Sequence, residues 1–222
     1  MEEKLSLLFN SFSQKGFDYE VNFDEDLLYF LKTENDTKKY IQIEVCLIKN
    51  KIRMSPSVAN YIEIVKVEEI LEQVTNQKTY LKNTISASIG IDKNNAFSND
   101  YFFIKTKKDL EKYVQLLDVY YNNHIQPFFE AIPTLQSFND KVLSVVPFDE
   151  YHNYLSGKFG LKAMIIMFLC KNPLYKDYVL YREKGFENSP NLQDVTSRYY
   201  KTVKQSFEEF NKFKEMVEKG EI

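Results

Sequence analysis

Tyr101-Phe102-Phe103-Ile104-Lys105-Thr106-Lys107-Lys108-Asp109-Leu110-Glu111-Lys112-Tyr113-Val114 contains the point at which this chain changes its hydrophobic period. Up to Lys105 the residues are mostly aromatic and β-branched, which is strand composition. From Thr106 the apolar positions fall at Leu110, Tyr113, Val114, Leu117 and Tyr121, a spacing near 3.6. Thr106 and Asp109 stand three apart, as in a capping box, where each side chain serves the other's backbone N–H. The reading is a last strand, then a capped helix.

Upstream of this point the alternation is that of a sheet. A first amphipathic helix, carried by Leu5, Leu8, Phe9 and Phe12, stops at Lys15-Gly16, where glycine can adopt a left-handed cap. Strand-like runs follow over 17–23, 27–32 and 40–48, and in the last of these Ile41, Ile43 and Val45 share one face. The connectors at Asp24-Glu25-Asp26 and 34–38 are too short for helical crossovers, so the sheet is expected to be antiparallel. Within 52–72, strand composition at Tyr61 to Val65 gives way to helical spacing at Val67, Ile70, Leu71 and Val74, which reads as strand, then helix. Strand character returns over 85–91 and 101–105, separated by a polar loop at 92–100.

Downstream, prolines and glycines divide the chain into helices expected at 107–123, 134–145, 149–156, 159–171, 174–184 and 192–219. The last carries Val195, Tyr199, Val203, Phe207, Phe210 and Val217 on one stripe, with Gly220 past its end. The expected fold class is therefore α+β. An N-terminal helix and an antiparallel sheet of about five to seven strands (1–105, β-rich) precede a multi-helix region (106–222) packed on the same core. The 222 residues are read as one unit, with no internal repeat and no linker to separate the halves.

Composition narrows the function classes. A net charge of −3 and a pI near 5.6 give no general attraction to a phosphate backbone. Only Arg53, Arg182 and Arg198 offer the planar fork suited to phosphate. Nucleic acid is not an expected partner. The longest strongly apolar run, Ala163 to Cys170, is far shorter than the roughly 20 residues needed to span a bilayer, so no membrane span is expected. Cys46 and Cys170 each sit in an apolar run and read as small buried hydrophobes. An acidic amino terminus without a small-residue cleavage site points to the cytoplasm.

No G-x-S-x-G, H-E-x-x-H, G-x-G-x-x-G or Walker sequence is present. Ser156-Gly157-Lys158 has the end of a phosphate loop without its upstream glycine, after a segment that reads as helical, so no such loop is expected there. With no closely spaced Cys or His pair, neither a metal site nor a cofactor is expected. Of the two histidines, His124 ends a helix, where a cation suits the carbonyl end of the dipole. His152 lies in Asp149-Glu150-Tyr151-His152, the most chemically mixed window of the chain. An imidazole can act as a general base when a nucleophile or carboxylate is within hydrogen-bond reach, so Asp149, Glu150, Tyr151 and His152 are the catalytic candidates.

Aromatic residues make up 15% of the chain with no tryptophan, and tyrosines recur in the helical half faster than one buried stripe requires. Tyrosine is enriched at interface hot spots because it brings area at low entropy cost, so Tyr154, Tyr178 and Tyr181 are the binding candidates.

The 101–114 stretch, followed by Ile125-Gln126-Pro127-Phe128-Phe129-Glu130 and Leu135, resembles a family of uncharacterised bacterial proteins known as a domain of unknown function. There a strand leads into a helix opened by Asp-Leu-Glu, and a Pro-aromatic-Leu/Phe-Glu step follows. Tyr40 to Val45 and the 160–172 helix also look like it, so the resemblance covers most of residues 1–175. Phe128 and Phe129 depart from it, since other apolar residues are commoner in the family. The resemblance implies the α+β order and a bacterial cytoplasmic setting, and transfers no catalytic residue. The leading functional expectation is a non-enzymatic protein-binding role, immunity-type or regulatory, with another protein as partner. The alternative is a hydrolase-like enzyme built around Asp149 to His152.

Overall fold

In the computed structural model, residues 2–22, 26–49, 51–78, 82–86 and 100–222 are described. The expected loop at 92–99, the continuation of a strand through Ile91, and Asp24-Glu25 of the acidic turn lie outside them. The chain divides into two compact units, Met1–Glu63 with Ile85–Thr134, and Ile64–Thr84 with Leu135–Ile222. The change of period at Thr106 is a change of element type and does not coincide with a boundary between units.

The first unit is built on a sheet. Helix α1 (Glu2–Gln14) precedes β1 (Asp18–Asn22), β2 (Leu27–Glu34), β3 (Thr37–Ile48) and β4 (Lys51–Ile64), all successive neighbours in one antiparallel sheet. Two short strands pair with β4: β5 (Ile85–Ser86) opposite Tyr61 and Ile62, and β6 (Phe102–Ile104) opposite Ile52 to Met54. Period-two alternation buries Leu28, Phe30, Ile41, Ile43, Val45, Ile52 and Met54. The buried stripe of α1 supplies Leu5, Leu8, Phe9 and Phe12, and the Phe12 ring stacks on Phe30 at 4.1 Å. Gly16 ends α1 at φ +81°, and the Phe17 N–H reaches the Phe12 carbonyl at 3.0 Å, the 6→1 bond of a Schellman cap.

Helix α3 (Lys107–Tyr120) opens on the complete capping box: Asp109 N–H donates to Thr106 Oγ1 at 3.3 Å, and Thr106 N–H to Asp109 Oδ2 at 2.8 Å. Hydrogen bonds from the Thr106 and Lys105 backbone hold the Asp109 carboxyl below its usual range. Tyr113, fully buried, donates to the Ser55 carbonyl at 3.2 Å and so ties α3 to β4. The helix does not end at 123. It passes through a π-helical turn (Tyr121–Ile125) into α4 (Gln126–Ala131), and His124 lies within the turn against the Tyr120 ring at 4.8 Å.

The second unit is helical: α2 (Val65–Thr75), α5 (Leu135–Phe138) with a π-helical turn (Asn139–Leu143), a 3₁₀ turn (Phe148–Asn153), α6 (Phe159–Leu169), α7 (Tyr175–Glu187), α8 (Pro190–Gln193) and α9 (Tyr200–Glu218). Residues 160–167 of α6 are all buried, which makes it the central helix of this unit. The expected start of the last helix at 192 is overturned. Asp194 Oδ1 accepts from the Thr196 N–H at 2.9 Å and the Thr196 hydroxyl at 2.7 Å, and this local turn competes with helix, leaving Val195 70% exposed. The two cysteines differ from expectation in burial: both are half-buried, and both are unbridged, as small apolar residues would be.

One ion pair lies inside the helical core. Lys162 of α6 meets Glu68 of α2 at 2.8 Å, with both side chains at 5% exposure or less. Thr84 donates to the same Glu68 oxygen at 2.6 Å and accepts from the Ile64 N–H at 3.0 Å, while Lys162 Nζ also donates to the Asn83 carbonyl at 2.5 Å. These bonds hold the start of α2 to the 83–84 segment and to α6.

Candidate functional site

The 3₁₀ turn carrying Asp149 to Asn153 does not assemble a catalytic group. Tyr151 is fully buried, donates to the Leu143 carbonyl, and packs edge-on to Phe148. Burial pushes its hydroxyl up to about 12. Asp149, Glu150 and His152 point to solvent. His152 Nδ1 lies 2.6 Å from the Asp149 carbonyl oxygen, which the ring can meet only as a donor. The group within reach of this imidazole is thus a backbone carbonyl, and no carboxylate orients it.

The tyrosine candidates separate as well. Tyr178 is fully buried between Phe148 and Tyr151, its hydroxyl has no hydrogen-bond partner among the described residues, and burial raises its pKa. Tyr154 is half-buried. Tyr181 is 43% exposed and lines a cavity of about 410 Å³ with Arg182, Phe186, Asn188, Ser189 and Val203.

Arg182, which the sequence marks only as one of three arginines, is the residue that the structure singles out. Its guanidinium carbon lies 5.8 Å from the Phe159 ring centre and 5.1 Å from that of Phe186, so aromatic faces at the start of α6 and the end of α7 clamp it. Gly160 makes room: a Cβ there would sit 2.6 Å from Arg182 Cζ. No carboxylate stands within 4 Å of Arg182 among the described residues, and its buried Nε has no acceptor. The side chain borders both the 410 Å³ cavity and a second of about 340 Å³, whose walls include Lys158, Gly160, Leu161, Met164, Thr202, Glu209 and Phe210. Lys158 is engaged there, with both Glu209 carboxylate oxygens at 2.6 Å from its Nζ, and Gln205 also donates to Glu209 at 2.9 Å.

The sheet unit holds the largest of these cavities, about 530 Å³, into which Lys15, Lys32 and Lys39 converge over Phe129 and Tyr121. Each of these lysines is paired. Lys15 meets Asp118 at 2.9 Å, and Lys32 and Lys39 share Glu34, whose carboxyl they hold below its ordinary value. Size favours this cavity, but each of its lysines already has a carboxylate partner.

Among the described residues no group of three or more His, Cys, Asp or Glu is arranged to hold a metal, and no helix is long and apolar enough to cross a membrane. The thiol of Cys170 is pushed up to about 11 by burial, which leaves little thiolate at neutral pH. No protein-family model, no curated protein and no solved structure matches this chain. The signal that could have drawn attention to Arg182 was its rarity, one of three arginines in a lysine-rich chain.

Proposed function

We propose that this chain is a non-enzymatic binding protein that holds a small anionic ligand in its helical unit, against Arg182. The observation that carries the reading is a guanidinium fixed between two aromatic rings beside open cavities, with no carboxylate of its own. A partly desolvated cation without a counter-ion is costly, and an incoming carboxylate or phosphate relieves that cost with charge-assisted hydrogen bonds. Binding without turnover is supported by the surroundings, since among the described residues no carboxylate pairs with His152 and Tyr151 is locked in the core. A bacterial cytoplasmic setting is part of the proposal, and the unbridged Cys46 and Cys170 support it.

The test is an NMR titration of the intact protein with sodium phosphate and sodium acetate in a chloride buffer, following the backbone amide signals of residues 159–161, which wild type and variant share. Saturable shifts with at least one anion, weakened about tenfold or more by Arg182→Met, are expected. Shifts that do not saturate, or that survive in Arg182→Met, sink the reading.

A second reading, the immunity-type or regulatory protein-binding role, is favoured by a different surface. Leu180 and Tyr181 on α7 are 53% and 43% exposed, and Leu180 borders an apolar groove of about 390 Å³ with Tyr175, Val179 and Val217. A photo-crosslinking residue at 180 is expected to trap one discrete partner in the native host, and the same probe at exposed Lys201 none. Equal labelling from both positions rejects this role.

A further inference from the structure

We infer that the ligand at Arg182 is an organic phosphate monoester, with its phosphoryl group in the 340 Å³ cavity against the guanidinium and beside the start of α6, and its carbon body in the apolar part of that cavity. The inference rests on the reading of Arg182 as an anion site and adds the chemistry of what occupies it.

The donors decide between phosphate and carboxylate. A carboxylate offers two oxygens, whereas a phosphoryl group offers three and a larger charge. Around this cavity stand the Arg182 fork, the Thr202 hydroxyl and the first turn of α6. In that turn the Phe159 N–H is bonded to the Gly157 carbonyl at 2.9 Å, and the Leu161 and Lys162 N–H groups to the Lys158 carbonyl at 3.0 Å. The Gly160 N–H is left as the donor for which the preceding chain provides no acceptor, and the N-cap residue, Lys158, adds no side-chain cap. Gly160 is also the residue against which Arg182 lies, and both line the same cavity. The helix start adds the favourable end of its dipole to the charge on Arg182.

Charge and volume complete the case. Glu209, the one carboxylate on the cavity wall, is neutralised by Lys158, so the wall carries one positive charge in excess. A cavity of about 340 Å³ falls in the range of roughly 300–1,000 Å³ typical of organic ligands. Leu161, Met164 and Phe210 give it an apolar side that a bare ion would leave dry and unused.

Isothermal titration of the intact protein with phenyl phosphate, inorganic phosphate and benzoate, in one phosphate-free buffer, tests this. Phenyl phosphate is expected to bind about tenfold or more tightly than either of the others. Gly160→Ala, which pushes the flexible end of Arg182 aside, is expected to weaken it by a similar factor while the melting temperature is retained. Arg182→Lys keeps the charge without the fork and is expected to fall between wild type and Arg182→Met. Equal affinity for phenyl phosphate and inorganic phosphate overturns the carbon body, and equal or tighter benzoate binding overturns the phosphoryl group. Both outcomes leave Arg182 as an anion site. Unchanged phenyl phosphate binding in Gly160→Ala overturns the placement at α6. No binding of any of the three overturns this inference and the reading beneath it together.

Discussion

Each unit of this protein holds an arginine against aromatic rings, in different company. In the sheet unit, Arg53 reaches Glu44 near the surface at 2.9 Å while lying over the Tyr101 ring, with side chains 32% and 40% exposed. In the helical unit, one pair is taken into the core, Lys162 with Glu68, and Arg182 lies beside a cavity with aromatic neighbours and, among the described residues, no carboxylate partner. Arg53 and Arg182 share the aromatic support and differ in the carboxylate. A clamped arginine is a structural ion-pair member when a partner stands beside it, and a receptor group when a cavity does.

The sharpest way to break this comparison is Lys162→Met. It strands the Glu68 carboxylate in a dry interior, and a loss of about 3–5 kcal/mol is expected from chemical denaturation. Adding Glu68→Leu is expected to recover most of that loss, because an apolar pair of similar volume needs no counter-charge. A loss confined to about 1 kcal/mol would put this pair in the same class as a surface bridge.

Next in size is the Thr106→Ala change. It removes one half of the capping box on α3 and is expected to cost about 1 kcal/mol. Arg53→Met is expected to cost about 1 kcal/mol or less, since its partner is exposed and solvent replaces it. Equal losses for Arg53→Met and Lys162→Met would dissolve the distinction between the units.

The smallest effect is one of pH. Lys32 and Lys39 hold the Glu34 carboxyl below its ordinary value of 4.5, so the stabilisation is present above that value and is lost as pH falls through the lower, folded-state one. Glu34→Gln is expected to flatten the acid limb of the stability–pH curve below 4.5 and to leave its neutral region nearly unchanged. An identical acid limb in the variant rejects a role for this carboxylate.

Much of the fold was legible because its signals are local. The strand-to-helix change around Tyr61 to Val74 falls where composition yields to helical spacing, and the box at Thr106 is present in full. The π-helical turns at 121–125 and 139–143 were not legible, because one extra residue per turn barely disturbs a short apolar pattern. The grouping of α2 with the later helices depends on Glu68, Thr84 and Lys162 meeting across 94 positions of sequence, which no local period encodes. The candidate site follows the same rule. Tyr151, His152 and Tyr178 stood out by type, whereas Arg182 matters for what is missing beside it, and a missing neighbour is a property of three-dimensional space alone.

Gly160 carries a consequence for how variants of this protein would score. The three atoms nearest to a methyl group there all belong to the far end of the Arg182 side chain, so the chain can accommodate alanine by shifting that end off its aromatic neighbours. In a mutational scan read once for cellular abundance and once for ligand retention, Gly160→Ala is the substitution at which the two scores part, near wild type in the first and depleted in the second.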